Sequence, residues 1–305
     1  MSKELWMIYD VKGLARNHSF VKMFEERGLP YDIQVKAVLD TEYESRLRQG
    51  EKPSAVLVRT ICPTINDAFE KRKIPVWNSS FVSKICNHKG TTREYLKDTI
   101  FCTPTITCSY KKIKEIMNWD MESLRHYMLQ TITLSSSFQK KEEDRIEEAK
   151  DFVIKTANGH GGNEVFSFLR EKEKIKEAIK PVDYVIQPML PVGKESRDMR
   201  IYILNEKVYA AVLRHSSKDF RANFSLGGKV EPVNCQDEIK EIIQKILEKI
   251  SFGMAGIDFI LEEDGTPVLS EIEDVAGTRM LYHCRPDLDI VKDYMKEIDK
   301  SLFEE

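Results

Sequence analysis

The stretch Phe152-Val-Ile-Lys-Thr-Ala-Asn-Gly-His-Gly-Gly-Asn-Glu-Val165 constrains this 305-residue chain more than any other. An apolar run ends at Lys155, a turn carrying Gly159, Gly161 and Gly162 follows, and an apolar run resumes. Glycines packed this closely weaken a helix, so the segment reads as strand, flexible loop, strand, with one cation at the loop entrance. Backbone without Cβ atoms lets successive N–H groups close around an anion, and a lysine beside them suits a phosphate. In a P-loop the lysine follows the glycines and opens a helix. Here it precedes them, and no G-x-G-x-x-G follows a strand. A glycine-rich hairpin with an exposed lysine accounts for the stretch at least as well at this point.

Hydrophobic residues make up 41% and charged residues 32%, the balance of a globular chain long enough for two or three domains. A net charge of -3 marks neither a nucleic-acid surface nor a membrane surface. The start, Met1 to Tyr9, is too short and polar for a signal peptide. No apolar run approaches the length of a bilayer span. A cytoplasmic protein is therefore expected. The six cysteines form no C-x-x-C pair, and no two of the six histidines lie three to five apart. Buried thiols are expected, rather than zinc or a redox dithiol.

Along the first third, strands alternate with helices. Leu5–Tyr9, Tyr31–Val38, Ser54–Arg59 and Ile74–Trp77 read as strands, with helices at His18–Arg27, Thr64–Lys73, Ser79–Asn87 and Thr91–Lys97. That order predicts a small α/β domain with a parallel sheet. The charge run Lys140 to Glu148 reads as a solvated face. A charged helix is expected from Glu171 to Lys180, and a strand at Tyr184–Gln187 stops at Pro188. Asp198–Leu204 and Lys207–Arg214 flank a two-residue turn and predict a hairpin. An amphipathic helix follows over Asp237–Ile250, with Ile239, Ile242, Ile243, Ile246, Leu247 and Ile250 on one stripe. Ala255–Leu261 and Pro267–Glu273 then form a second hairpin about Asp264-Gly265.

That last hairpin carries the acidic candidates. Asp258 interrupts an apolar strand, and Glu271 and Glu273 are two apart, hence on one face of the paired strand. Three crowded carboxylates repel unless a cation joins them, and hard oxygen ligands suit Mg²⁺ completed by phosphate oxygens. The basic candidates are Arg200 and Arg214, which punctuate apolar strands where an unpaired guanidinium is costly. A nucleotide's phosphates would pair with them bidentately.

In chain order, Val58-Arg59, Trp77-Asn78-Ser79, Asn87-His88-Lys89, Thr103-Pro104, Ile154-Lys155, Gly159-x-Gly161-Gly162 and Val185-Ile186-Gln187 form one series of motifs. Gly193-x-x-x-x-Asp198-x-Arg200, Arg214, Asp219-Phe220-Arg221-Ala222-Asn223-Phe224, Gly227-Gly228, Gly256-Ile257-Asp258 and Glu271-Ile272-Glu273 continue it. The series resembles the RimK-like carboxylate–amine ligases of the ATP-grasp superfamily. The segment from Asp198 to Gly228 is its most specific part; Thr107 to Glu148 and the last thirty or so residues take no part in it.

The resemblance implies an ATP-grasp fold. A parallel α/β domain (1–88) would precede a central lobe with the glycine-rich loop (89–186). A C-terminal lobe with the metal site (187–305), α+β in character, would clamp ATP against the central lobe between two sheets. It implies that Lys89, Lys155 and the loop Gly159, Gly161 and Gly162 contact ATP phosphates. Gln187, Met189 and Leu190 would hold adenine, and Asp198 would touch the ribose or the hinge. Arg200 and Arg214, with Lys155, would serve phosphoryl transfer, and Asp258, Glu271 and Glu273 would hold Mg²⁺ (two ions, with Mn²⁺ as a substitute). Arg221 and Asn223 would border the acceptor. Arg59, at a strand end facing the presumed cleft, and Arg279, at an expected helix start, are candidates for a substrate carboxylate; an exposed helix arginine explains Arg279 as well.

Two departures stand out against the family pattern. Glu273 replaces the usual asparagine of Glu-x-Asn, and Gln187-Pro188 replaces a Gln-Glu pair. The implied reaction is activation of a small carboxylic acid or amino acid as an acyl phosphate, then its transfer to an amine of an amino acid, peptide or carrier protein. ADP and phosphate are released. The alternatives are a thioester on a carrier protein, an ester, or nucleotide binding without catalysis; a hydride-transferring dehydrogenase lacks its fingerprint. No nucleic-acid or membrane partner is expected, and a homodimer or homotetramer is common among similar enzymes.

Overall fold

The computed structural model describes residues 3–159, 164–216 and 229–302. The expected parallel sheet is present. Strands β1 (Lys3–Tyr9), β2 (Ile33–Leu39), β3 (Ala55–Val58) and β4 (Val76–Trp77) lie in the order β2-β1-β3-β4. β1 is apolar on both faces because both are covered. Leu5, Met7 and Tyr9 enter one core, while Trp6 and Ile8 enter another with Val38, Val56 and Phe69.

A second, antiparallel sheet contains β5 (Ile106–Cys108), β6 (Phe152–Thr156), β7 (Val165–Ser167) and β8 (Tyr184–Pro188), in the order β5-β8-β6-β7. Ile154 and Ile186 face a core with Ile113, Leu124 and Ile146. By alternation, Lys155 and its cross-strand neighbour Val185 face the other way.

The third sheet, also antiparallel, is built from β9 (Ser196–Leu204), β10 (Lys207–Ser216), β11 (Lys229–Val233), β12 (Met254–Leu261) and β13 (Pro267–Glu273), in the order β11-β10-β9-β12-β13. Met199, Ile201, Ile203, Ile257 and Phe259 face a core that receives Ile239, Ile243 and Ile246 of the helix Asp237–Leu247. Each fully buried isoleucine contributes roughly 1.5–3 kcal/mol relative to exposure.

Two features lie beyond local pattern. The final helix, Ile290–Ser301, packs back onto the N-terminal sheet: Ile290, Val291, Met295 and Ile298 share a core with Leu5, Met7 and Phe24. Arg27 pairs with Asp289 at 3.0 Å and Lys3 with Asp299 at 2.7 Å, which pins both ends of that contact. The charge run is the second. It does form a helix, Gln139–Glu147, but the expectation of a solvated face fails at Glu142, which is fully buried. Its carboxylate accepts from Arg93 Nη2 at 2.6 Å and from the Ser135 amide at 2.7 Å. A buried charge supplied with charged and backbone donors no longer needs solvent.

No helix among the described residues is long and apolar enough to cross a membrane. Cys86, Cys102 and Cys108 are buried and free, and burial pushes the Cys102 thiol up to about 12 and the Cys108 thiol up to about 11. Thiols of that kind are structural rather than nucleophilic.

Candidate active site

Register builds the site. Asp258 on β12 lies opposite Arg200 of β9 on one side and Glu271 of β13 on the other, and Asp198 of β9 lies opposite Arg214 of β10. The β12–β13 ladder slips between Asp258 and Phe259, so that Asp258 pairs with Glu271 while Phe259 pairs with Leu269, leaving Ser270 extra. This bulge reverses the alternation within β13. Leu269 turns into the core, yet Glu271, two residues on, joins the charged face. One carboxylate oxygen from each of Asp258, Glu271 and Glu273 falls within 4.8 Å of the others. Three hard oxygen donors at that spacing fit Mg²⁺ or Mn²⁺.

The same carboxylates are knit to cations. Arg200 grips Asp258 bidentately, at 2.7 Å through Nε and 2.6 Å through Nη2, and reaches Glu273 at 3.0 Å. Arg214 binds Asp198 through Nε and Asp258 through Nη2, the latter at 2.9 Å. Burial alone would push the Asp258 carboxyl up, but the two guanidiniums outweigh it and hold it below the ordinary range. Asp198 has the opposite balance: burial dominates, the Arg214 attraction only partly offsets it, and the negative Asp258 adds to it, so Asp198 rises to about 6.

Lys89 joins the second and third sheets. It opens the helix Lys89–Leu96, whose N-cap is His88 accepting from the Thr91 amide at 3.1 Å. Its ammonium lies 2.8 Å from Glu271 Oε2 and donates to the Gly159 carbonyl at 2.6 Å. Lys155 is buried near it. Burial pushes the Lys155 ammonium down to about 7, with Lys89 pressing the same way and Glu271 opposing. A cation this poorly solvated would gain from an anion placed beside it.

The loop expected to cover phosphates leaves from Gly159. A Cβ there would come within 1.9 Å of Thr156 Oγ1, so only glycine fits without rearrangement. Thr156 donates to Glu164 at 2.9 Å and Glu164 pairs with Lys180, which pins both stems of the loop. Gly161, Gly162, Arg221 and Asn223 lie outside the described residues.

Of the remaining candidates, Gln187 is buried and donates to Thr105 at 2.7 Å, and the Met189 amide donates to the Asp151 carbonyl at 2.9 Å. Leu190, also buried, follows directly. Arg59 Nη2 donates at 2.8 Å to the carbonyl of Ala276, just past β13, and its guanidinium lies 5.1 Å from the Phe20 ring centre. Arg59 Nε and the hydroxyl of Tyr9, its neighbour at the end of β1, are buried without a hydrogen-bond partner. Arg279 does start a helix, Arg279–Cys284, and is exposed there.

Composition and spacing missed a polar junction beneath β13. Asn78 donates to the carbonyls of Met254 and Asp274 at 2.9 and 3.1 Å, and Asn87 donates to the Asp274 carboxylate at 2.5 Å. Both asparagines stand in the motif series, in Trp77-Asn78-Ser79 and Asn87-His88-Lys89, but the series assigned them no role.

Comparisons with known proteins agree with this architecture. A family model described as a RimK-like ATP-grasp domain matches residues 124–297. An uncharacterized protein of Mycoplasma pneumoniae is 36% identical over 147 residues, covering 47% of this chain and 50% of that protein. The tetrahydromethanopterin:alpha-L-glutamate ligase of Methanocaldococcus jannaschii is 32% identical over 134 residues, covering 41% of this chain and 45% of that protein. The chain thus spans about half the length of the curated relatives it matches. Among solved structures, the D-alanine–D-alanine ligase of Bacillus anthracis complexed with ATP superposes with a TM-score of 0.62 at 14% identity, covering 98% of this chain and 99% of that one. That similarity shows a shared fold.

Proposed function

Because the chain belongs to the family of RimK-like ATP-grasp domains, we propose that it is an ATP-dependent ligase that activates a carboxylate as an acyl phosphate and joins it to an amine. The observation that carries the reading is Lys89, whose ammonium reaches both the loop stem at Gly159 and the carboxylate Glu271. The stem of the glycine-rich loop and the carboxylate cluster therefore meet at one lysine between two sheets, which supports the reading.

A carboxylate is a poor electrophile. Its oxygen attacks the terminal phosphorus of ATP and ADP leaves; the amine then attacks the acyl carbon, loses a proton and expels phosphate. Little covalent chemistry is asked of the protein, which positions the groups and offsets charge. Lys89 and Lys155 are set to bind phosphate oxygens, and Arg200 and Arg214 to meet charge on the transferred group. Asp258, Glu271 and Glu273 would hold Mg²⁺, which when bound neutralises phosphate oxygens. The loop leaving Gly159 would keep water from the acyl phosphate. Arg59, beside the segment after β13, is our candidate for the substrate carboxylate; its unpartnered Nε supports this. The Methanocaldococcus relative's name makes L-glutamate the first amino acid to test, as either partner.

The test is ADP release from ATP and Mg²⁺ across a panel of amino and carboxylic acids, with hydroxylamine to trap the acyl phosphate. Hydroxamate formed with one acid, and reduced at least about 10³-fold in Lys155→Ala and Glu271→Ala, is the expected result. ADP release that never requires an acid would overturn the ligase reading.

A further inference from the structure

The polar junction under β13 has no part in the chemistry described so far, yet it touches the site from below. Asn87 is buried and holds a left-handed backbone, φ 63°. Asparagine tolerates that region better than most residues. Three hydrogen bonds tie it to the end of β13. Its amide donates to the Ile272 carbonyl at 3.0 Å, its side-chain Nδ2 donates to Asp274 Oδ1 at 2.5 Å, and its Oδ1 accepts from the Asp274 amide at 3.3 Å. Ile272 lies between Glu271 and Glu273, and Asp274 follows them. Two residues past Asn87, Lys89 turns back to Glu271 at 2.8 Å. The segment 87–89 therefore contacts the end of β13 twice, through Asn87 and through Lys89.

We propose that Asn87 is a positioning residue, which sets the separation between the phosphate lysine Lys89 and the metal-binding carboxylates Glu271 and Glu273. Together with the Lys89–Glu271 ion pair, its side-chain bonds fix the start of the helix Lys89–Leu96 against the end of β13. Partners behind metal ligands typically change metal affinity 10–100-fold when removed. The inference rests on the ligase reading of the site, but its test is binding rather than turnover.

The experiment measures Mn²⁺ binding by electron paramagnetic resonance and binding of a non-hydrolysable ATP analogue with Mn²⁺ by calorimetry. The proteins are the wild type, Asn87→Gly, Lys89→Met and the double variant, each with its Tm. Glycine keeps the left-handed backbone and deletes only the side-chain bonds. We expect Asn87→Gly to weaken Mn²⁺–nucleotide binding by at least about tenfold with a folded, cooperative melt. On the Lys89→Met background the same change is expected to cost less than about threefold, because the group it positions is gone. A second pair keeps the test decisive if Asn87→Gly folds poorly. Asp274→Ala should reproduce the loss, and Asp274→Asn, which retains an accepting oxygen, should restore most of it. Wild-type affinity in Asn87→Gly, or an equal loss with and without Lys89, overturns the positioning role alone. Failure of the wild type to bind Mn²⁺ and nucleotide at all overturns it together with the reading of the site.

Discussion

Two buried charge networks in this molecule are built on opposite plans. In the central region the Glu142 carboxylate is closed, although its partner Arg93 also reaches Glu94 and keeps a buried Nε without a hydrogen bond. One carboxylate oxygen takes Arg93 Nη2, the other takes the Ser135 amide, and Arg93 Nη1 goes to the Thr133 carbonyl at 2.5 Å. The network on the third sheet is shared. Asp258 is claimed by Arg200 and Arg214, and Arg200 also reaches Glu273. Lys89 divides itself between Glu271 and Gly159. Burial of charge is common to both, so burial alone does not mark a site. In the first network each Glu142 oxygen already has its own donor. A shared network can exchange partners, and a metal or a phosphate could enter it by taking over contacts that already exist in kind.

The largest expected effect separates the two on stability. Arg93→Met leaves Glu142 buried against backbone donors only and should cost about 3–5 kcal/mol in urea unfolding, whereas Arg93→Met/Glu142→Leu should recover most of that loss. Turnover in the folded double variant should remain within tenfold of wild type. A large loss of activity in a stable double variant would erase the distinction between scaffold and site.

A smaller effect concerns pH. Lysine in an unfolded chain loses its proton near 10.4, but Lys155 in the native site does so at about 7. Between those values the unfolded state holds the extra proton, so stability contributed by this group rises with pH across that window. Below about pH 7 both states are charged and the full cost of burying the ammonium is felt. The stability of the ligand-free protein relative to Lys155→Met should therefore climb from pH 7 to 9. A difference independent of pH would show that Lys155 keeps an ordinary lysine's proton.

The smallest effect sharpens the shared plan itself. Glu273→Asn restores the family's usual residue and takes one carboxylate from Arg200. Mn²⁺ affinity should fall by less than about tenfold, while metal-free nucleotide should bind more tightly, since one negative charge near the phosphates is gone. Calorimetry of both ligands checks the opposed signs; weakening of both would mean that Glu273 serves the fold.

Much of this was legible beforehand wherever periodicity is local. The parallel order of the first strands, the isoleucine stripe of Asp237–Leu247, the paired strands on either side of the glycine segment after Lys155 and the common face of Glu271 and Glu273 all follow from spacing. Spacing was blind to Glu142. Its neighbours are charged, and it takes Arg93 from 49 residues away, with the Ser135 amide, to make a buried position tolerable. The bulge at Ser270 was likewise invisible, because the reversal of faces it produces depends on how β13 registers against β12.

The amino-acid sequence by itself determined the element order and the residue types of the site: lysines near glycines, carboxylates on a hairpin, arginines inside apolar strands. These are consequences of side-chain period and backbone freedom, which act over a few residues. Only the tertiary structure decided which charges meet. Partner choice among Arg200, Arg214, Asp198, Asp258 and Glu273 is set by strand register, and the seat of Lys89 by the Asn87–Asp274 junction. Charges held a few ångströms apart in a low-dielectric interior interact far more strongly than the same groups in water. Their behaviour therefore belongs to the folded arrangement and not to any one residue.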